Sequence, residues 1–309
     1  MRARLRLVTP LFLLLFAVPA LALDLVPQRV AAGVYAFVGE LGGRTYENEA
    51  MNATTGFVVT RAGVVVIDSG SSFQAGRKIH DAIRRVTKQP LKLVINTGGQ
   101  DHRWLGNSYF ATLGVPIVGH EAMRADAEAR GPMLIESVSG TLREKFDGTA
   151  LVPPTQTFAA RHAVRIGQTD FVLIHTAPAH TPGDILVWLP QSRTVFSGDI
   201  VFVDRMLGVL PFSSVAGSIA SFEAMAALKP ARIVPGHGAP CELEKAGRDT
   251  YDYLVLLRDH MKRAVDAGED LQTAIDHLDQ QRWAALPNFD LLSGGNASRA
   301  YLEAEAAAF

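Results

Sequence analysis

The chain has 309 residues, of which 48% are hydrophobic and 20% are charged, and its 30 basic residues nearly balance its 31 acidic ones. This balance argues against a nucleic-acid-binding protein, and the apolar content argues against intrinsic disorder. The chain has one cysteine, Cys241, so it cannot form an internal disulfide or a cysteine-rich metal cluster. Any metal ion must therefore be held by histidines and carboxylates. The length alone allows one or two domains.

The N-terminus has the features of an export signal. Three arginines at positions 2, 4 and 6 precede the apolar run 11–18, which is too short to cross a bilayer, and Ala20-Leu21-Ala22 offers a cleavage site. The sequence therefore predicts a signal peptide at residues 1–22, and in a bacterium a periplasmic mature protein. An uncleaved membrane anchor is the alternative. No later segment is apolar enough to span a membrane.

The following segments alternate between strand and helix patterns. Short β-branched or aromatic runs predict strands, and apolar residues at helical spacing predict helices. In the first half the predicted strands are 34–38, 56–60, 64–68, 91–96 and 115–118, and the predicted helices are 74–86, 107–113 and 120–145.

The second half continues the alternation and ends in helices. The predicted strands are residue 164 with its neighbours, 171–176, 185–189, 194–196 and 232–234, with a helix at 218–228 and helical segments from Cys241 onward. Because no repeat or low-complexity linker interrupts the pattern, we expect one mixed α/β domain with a helical C-terminal extension.

Candidate functional residues follow the predicted strands, and each lies near a glycine. They are Asp68, the pair Asp101 and His102, His180, Asp199 and His237. Loops at strand ends commonly carry functional groups, and imidazole with carboxylate is a ligand set that suits zinc. Taken singly, a histidine or aspartate at such a position is more often a hydrogen-bonded turn residue. Taken together, they predict a metal site.

These motifs, in this order, resemble those of the metallo-β-lactamase superfamily. The segments IDSG, INTGGQDHRWLGN, PAHTPGDILVWLP, FSGDIVF and IVPGHG carry the resemblance, which covers about residues 30–240. It implies an αβ/βα four-layer sandwich, with a domain at 23–240 and a helical extension of the same domain at 241–309. Within the superfamily, the metal loop and the signal peptide are most similar to the branch named quinoprotein relay system zinc metallohydrolase, type two.

The metal loop departs from the family pattern Thr-His-x-His-x-Asp-His. This chain reads Thr-Gly-Gly-Gln-Asp-His from Thr97, so both histidines of the first metal site are missing. When the loop is aligned without a gap, Gly98 and Gln100 occupy the positions of the two missing histidines, and His102 occupies the aspartate position. A shift of one residue restores Asp101 and His102 as the Asp-His pair, and we adopt this shifted alignment.

The resemblance then implies one zinc ion held by Asp101, His102 and His237, with Asp199 as a fourth ligand. A second ion would have only His180, Asp199 and Gln100, so we expect it to be weakly bound or absent. Asp68 and Gln100 are expected to orient the ligands rather than to bind the metal.

The implied activity is metal-dependent hydrolysis. Zinc lowers the pKa of a bound water and polarises a carbonyl, so we expect hydroxide attack on an ester, lactone, amide or thioester, with Asp101 or Asp199 taking up a proton. The substrate is a small molecule, and the branch suggests service to a periplasmic quinoprotein dehydrogenase or its cytochrome. Two alternatives stay open: a non-catalytic accessory or binding protein with a degenerate metal site, and an iron-dependent oxidative enzyme.

Two further residues have simpler interpretations. His120 follows a predicted strand and begins a predicted helix, so we expect it to cap or pack against that helix. Cys241 is expected to be a buried or free thiol.

Overall fold

The computed structural model describes residues 24–308, so the predicted signal peptide at 1–22 lies outside the described residues. The strands are β1 (Gln28–Ala31), β2 (Val34–Phe37), β3 (Thr55–Thr60), β4 (Gly63–Ile67), β5 (Leu91–Ile95), β6 (Ile117–His120), β7 (Gln156–Phe158), β8 (Arg161–Ile166), β9 (Thr169–Ile174), β10 (Leu186–Leu189), β11 (Thr194–Phe202) and β12 (Arg232–His237). The α-helices are α1 (Phe73–Val86), α2 (Asp101–Trp104), α3 (Asn107–Thr112), α4 (Glu121–Leu142), α5 (Val215–Ala227), α6 (Leu243–Ala246), α7 (Asp252–Asp266), α8 (Leu271–Asp276) and α9 (Phe289–Ala308). Within 24–308, no helix is both long enough and apolar enough to cross a membrane.

Two mixed sheets form the centre of the fold. The first has seven strands in the order β1 to β7, and the second has five in the order β12-β11-β10-β9-β8. In the first sheet, strands β4 to β7 run parallel, because α1 and α4 return the chain to the same edge; in the second, β11 and β12 are parallel. The carboxyl ends of several strands therefore lie at a common edge.

Strand β4 shows how the sequence builds the layers. Its side chains alternate between the two faces: Val65 and Ile67 pack between the two sheets, whereas Val64 and Val66 pack beneath helix α1. All of these side chains are buried, as expected for a strand covered on both faces.

Helices cover the outer face of each sheet. Helix α1 packs on the first sheet through Ile79 and Ile83, and α5 packs on the second through Phe222 and Met225. The order of layers is therefore helix, sheet, sheet, helix. The predicted α/β four-layer fold with C-terminal helices is confirmed.

Two strands are longer than the sequence pattern predicted, and this changes the position of one candidate residue. Strand β11 continues to Phe202 and β12 to His237, with irregular pairing around Gly198, whose φ is +50°. Asp199 therefore lies within a strand rather than after one. The predicted strands stopped at 196 and 234 because small and polar residues follow, and these residues do not show the apolar pattern of a strand.

Strands β1 and β7 were not predicted. Their residues are exposed or only half buried at the edges of the first sheet. They therefore lack the alternating apolar residues by which a strand is predicted from sequence. The prediction for His120 is borne out: its ring Nδ1 accepts a hydrogen bond from Ala122 N at 3.1 Å, at the start of α4.

The C-terminal helices hold a segment that borders the end of β11. Asn296 of α9 accepts a hydrogen bond from Val209 N at 2.7 Å and donates one to Leu207 O at 2.9 Å. Glu303, one turn from the end of α9, accepts from Ser214 Oγ at 2.8 Å and from Val215 N at 2.7 Å. The helical extension therefore fixes the chain between β11 and α5.

The environment of the single cysteine gives a first test of the fold. Cys241 is buried and free, and burial raises the pKa of its thiol to about 12. Since the thiolate is the reactive form, we expect the native protein to react with Ellman's reagent at neutral pH far more slowly than a free thiol, and to release one equivalent per chain in denaturant. Rapid stoichiometric reaction of the native protein would contradict this packing.

Candidate functional site

Three of the predicted ligands converge where the two sheets meet. His102 lies on the short helix α2 after β5, Asp199 lies within β11, and His237 ends β12. One ligand atom from each lies within 4.8 Å of the other two. Each residue is at most 4% exposed. Among residues 24–308, no other cluster of histidine, cysteine and carboxylate ligands is so close.

The carboxylate of Asp199 lies between the two imidazoles. His102 Nε2 is 3.1 Å from Asp199 Oδ2, and His237 Nε2 is 3.3 Å from Asp199 Oδ1. The two rings meet edge to face, with centroids 5.1 Å apart. All three side chains thus direct their polar atoms to a shared point.

Hydrogen bonds on the far sides of the rings assign their tautomers. His237 Nδ1 is 2.8 Å from Asn52 O, which can only accept, so Nδ1 carries the proton and Nε2 has the lone pair. His102 Nδ1 lies 3.2 Å from Asp101 Oδ1, so a proton on Nδ1 would give His102 the same tautomer when its Nε2 binds a metal ion. A carboxylate behind a histidine is a common arrangement at metal sites, where it orients the ring and increases its basicity.

This arrangement fits one metal ion. Two imidazole nitrogens and a carboxylate face one another, and these are donor types that bind a divalent cation together. Burial lowers the pKa of His237 to about 3, so its ring is neutral and able to bind a metal. His102, Asp199 and His237 therefore form a ligand set for one ion.

Asp101 lies beside this group rather than in it. Its Oδ1 accepts a hydrogen bond from Arg44 Nη2 at 2.5 Å and faces the His102 ring, whereas Oδ2 is buried without a hydrogen-bond partner. Burial alone would raise the pKa of Asp101, but Arg44 and His102 lower it to about 2. The structure thus places Asp101 behind the His102 ring rather than among the converging ligand atoms.

His180 also lies outside the group. It is buried near Phe202 and lines, with Asp199, a cavity of about 10 Å³. Burial lowers the pKa of His180 to about 4, so its imidazole is neutral. The cavity is about the size of one water molecule.

Close contacts surround the loop that lacks the two histidines. A Cβ at Gly98 would lie 2.3 Å from Asp184 Oδ1, and Gly99 N donates to Thr181 Oγ1 at 2.9 Å. Gln100 has a buried Oε1 without a partner, and it does not bind the other ligands. A second ion would therefore find only His180 and Gln100 beyond the shared Asp199, a poor set for zinc.

Arg103 was missed by the sequence analysis, although it holds the site together. Its guanidinium donates to both oxygens of Asp199, at 3.1 Å and 2.6 Å, and to Asp68 Oδ2 at 3.0 Å. It also donates to the carbonyls of Thr54 and Gly236, at 2.8 Å and 2.7 Å. All five guanidinium N–H groups thus find partners in a side chain that is 1% exposed. In the sequence, Arg103 directly follows the candidate ligand His102 and precedes Trp104, and this position is the one signal that could have found it.

Arg103 also sets the charge of Asp199. Burial would raise the pKa of Asp199, but the guanidinium and His102 hold it well below its usual range. Asp199 is therefore ionised and available as a metal ligand, although each of its oxygens already accepts a hydrogen bond from Arg103.

Asp68 anchors the loop that carries His102. Its carboxylate accepts from Thr97 N at 2.7 Å and from Thr97 Oγ1 at 2.8 Å, and its backbone has a positive φ of +63°. Burial raises the pKa of Asp68, opposed mainly by Arg103. The structure places Asp68 away from the converging ligand atoms, where it fixes Thr97 and Arg103.

The matching family model is that of the metallo-β-lactamase superfamily, over residues 49–237. Among curated proteins, the linear primary-alkylsulfatase of a Pseudomonas species is 21% identical over 67% of this chain and 46% of its own length. The metallo-β-lactamase type 2 of Elizabethkingia meningoseptica is 25% identical over 51% of this chain and 55% of its own length. The chain thus spans about half the length of the curated relatives it matches.

Solved structures share the fold. A metallo-β-lactamase from Pontibacter korlensis superposes with a TM-score of 0.60 at 21% identity, covering 75% of this chain and 99% of that protein. The metallo-β-lactamase DIM-1 gives a TM-score of 0.59 at 14% identity, covering 75% and 97%. At these identities the similarity concerns the fold alone.

The ion network of Arg103 yields a stability prediction. Arg103→Met should lower the unfolding free energy of the metal-free protein by about 3–5 kcal/mol, because it leaves two buried carboxylates unpaired. Urea denaturation in EDTA measures this change. As a control, Arg232→Met removes an exposed ion pair with Glu242 and should cost less than about 1 kcal/mol. Similar losses in the two variants would contradict the proposed importance of the network.

The buried histidines yield a pH prediction. The pKa of His180 falls from 6.5 to about 4 on folding, so between these values the unfolded chain binds a proton that the native protein does not. Stability should therefore fall as the pH is lowered through this window, by up to about 1.4 kcal/mol per pH unit for this one group. His180→Asn should have a shallower dependence than the wild type in urea denaturation at pH 4.5, 5.5 and 6.5 with EDTA. Equal slopes would contradict the assignment.

Proposed function

The chain belongs to the metallo-β-lactamase superfamily, and from this we propose that it is a zinc-dependent hydrolase that uses one metal ion. One observation carries the proposal: the Nε2 atoms of His102 and His237 converge on the ionised carboxylate of Asp199. These three residues would hold the ion. When bound, zinc would activate a water molecule and polarise the scissile carbonyl or ester group.

The residues around the ligands prepare the site for this chemistry. Asp101 orients the His102 ring and supports its basicity, and Arg103 keeps Asp199 ionised. Both Asp199 oxygens are engaged by Arg103, so Asp199 is poorly placed to take up a proton as well. Asp101 is fully buried behind the His102 ring, and the low pKa of its carboxylate suits it to orienting that ring rather than to removing a proton.

The substrate class rests on the family. We propose a small molecule with an ester, lactone, amide or thioester bond. The names of the relatives add a sulfate ester and a β-lactam as compounds to test. We further propose export through the predicted signal peptide to the periplasm, and service to a quinoprotein dehydrogenase or its cytochrome.

A second candidate function has its own support. Gly98 and Gln100 stand where the family pattern has two histidines, and Arg103 already donates hydrogen bonds to both oxygens of Asp199. These features favour an accessory or binding protein of the same quinoprotein system that retains the fold with little or no turnover.

Metal analysis and turnover distinguish the two functions. We expect about one zinc per chain and zinc-dependent cleavage of a 4-nitrophenyl ester, a chromogenic cephalosporin or a long-chain alkyl sulfate. His102→Ala should lose the metal and at least about a hundredfold in activity, since it removes one of three ligands. The exposed His277, in the C-terminal helices, provides the matched control His277→Ala, which should retain both. Full zinc content and turnover in His102→Ala would refute the assignment, and a zinc-free, inactive wild type would favour the accessory protein.

A further inference from the structure

One residue of the C-terminal extension reaches a loop beside the candidate metal site. Asn288 directly precedes helix α9, and its Nδ2 donates a hydrogen bond to the backbone carbonyl of Leu41 at 2.9 Å, across 247 positions of the chain. Leu41 begins the segment 41–44, which ends in Arg44. The bond therefore joins the helical extension to a loop from the other end of the chain.

The backbone around Asn288 is firmly anchored. Its neighbours Leu286 and Phe289 pack against the cluster of buried side chains that the C-terminal helices form with the segment after β11. The carbonyl of Pro287 accepts a hydrogen bond from Met206 N at 2.9 Å, and Met206 is itself buried in that cluster. The side chain of Asn288 thus extends from a fixed point.

The conformation of Asn288 gives its side chain a specific role. Its φ is +67°, in the left-handed region that glycine adopts without strain and that asparagine tolerates better than most residues with a side chain. A glycine at this position would relieve the strain, but it would also remove the amide that bonds Leu41. The amide is therefore what asparagine contributes here.

The segment 41–44 is held by hydrogen bonds rather than by apolar packing. Gly42 and Gly43 are exposed, with open space where a Cβ would lie, and Leu41 is only half-buried. Besides the bond from Asn288 to Leu41, the Gly42 carbonyl accepts two side-chain hydrogen bonds, at 3.1 Å and 3.2 Å. A segment with few apolar contacts opens at a low cost in free energy, so each of these bonds matters for its position.

Arg44, at the end of this segment, contacts the group that supports a metal ligand. Its guanidinium pairs with the buried Asp101, and its Nη2 lies 3.5 Å from Nδ1 of His102. The Arg44 side chain is 29% exposed, so water competes with Asp101 for it. The position of the backbone at 41–44 therefore determines how well Arg44 stays paired.

We propose that Asn288 is a positioning residue whose side-chain amide fixes the segment 41–44. In this position the segment keeps Arg44 on Asp101, and the pair orients the His102 ring. The C-terminal extension then supports the metal site without supplying a ligand. The effect on His102 rests on the proposed zinc-hydrolase function, whereas the placement of Arg44 does not.

Trypsin tests the placement of Arg44 in the full chain treated with EDTA. Cleavage after Arg44 requires this side chain to leave Asp101 and enter the specificity pocket of the protease. Asn288→Asp places a carboxylate opposite the Leu41 carbonyl, and two acceptors repel each other. We expect mass spectrometry to show cleavage after Arg44 about fivefold faster than in the wild type, the effect of one lost hydrogen bond. Cleavage after Arg61, on the exposed turn between β3 and β4, should keep its rate.

Matched variants separate this role from a general loss of stability. Aspartate tolerates a positive φ and suits the start of a helix, so Asn288→Asp is expected to fold. Asn288→Gly relaxes the backbone and removes the amide, and it should also speed cleavage after Arg44. Gln272→Glu makes the same amide-to-carboxylate change on the exposed surface of α8, and it should be cleaved as the wild type is.

Zinc affinity tests whether the effect reaches His102. In competition with a chromophoric chelator, Asn288→Asp should weaken zinc binding about tenfold, the lower end of the losses caused by changing a residue that supports a metal ligand. Arg44→Gln should weaken it at least as much. Because Asn288 acts through Arg44, the double variant should bind zinc no more weakly than Arg44→Gln alone, whereas a purely structural role would give additive losses.

The two measurements separate the role of Asn288 from the hydrolase proposal. Unchanged cleavage after Arg44 in Asn288→Asp and Asn288→Gly would overturn the positioning role. Unchanged zinc affinity in Asn288→Asp would overturn the effect on His102, and additive losses would overturn its route through Arg44. Because the protease measurement uses neither zinc nor turnover, faster cleavage in a protein that binds no zinc would support the positioning role and refute only the zinc-hydrolase proposal.

Discussion

The buried guanidinium of Arg103 is the interaction on which the site depends. It is bonded to Asp68, which fixes the loop after β5, to Asp199 in β11, and to the carbonyl of Gly236 in β12. These elements come from both sheets, so one side chain connects the two halves of the sandwich at their shared edge. In a dry interior such a charge is stable only when all its partners are present, which makes the network a strict constraint on the surrounding chain.

The hydrogen bonds of Arg103 determine where the candidate ligands lie. His102 precedes Arg103 on the same short helix, and His237 follows Gly236 along β12, so anchoring the arginine places both imidazoles about Asp199. The rings are then turned by contacts behind them, with Asp101 for one and the Asn52 carbonyl for the other. The cluster thus combines rigid strands with hydrogen bonds that determine which nitrogen faces inward.

The C-terminal helices add a second level of support. Asn296 and Glu303 hold the chain between β11 and α5, and that chain borders the cavity lined by His180 and Asp199. Helix α9 therefore contributes no ligand but constrains the surroundings of the site. This role explains the burial of Asn296, a residue whose sequence context alone gave no reason to expect it.

Much of the fold followed from the sequence, because apolar residues alternate along β4 and recur at helical spacing along α1. His102, Asp199 and His237 were also recognisable, since each stands in a motif of the superfamily. The alignment of Asp101 was not, because sequence alone cannot show which of two adjacent side chains points inward. Arg103 and Arg44 were missed because an arginine has no distinctive spacing, and its role depends on carboxylates and carbonyls far away in the chain.

The sequence by itself thus determined the layers, the order of the elements and the residue types near the site, which depend on local periodicity and short motifs. Only the tertiary structure decided which of those residues converge, and which carboxylate lies among the two imidazoles and which lies behind one of them. The physical reason is that the first set depends on burial of apolar faces, encoded locally in the chain. The second depends on distances between groups that only folding brings together. The single cysteine restricts the candidate ligands to histidines and carboxylates. Contacts between the two sheets then determine which of these residues come together.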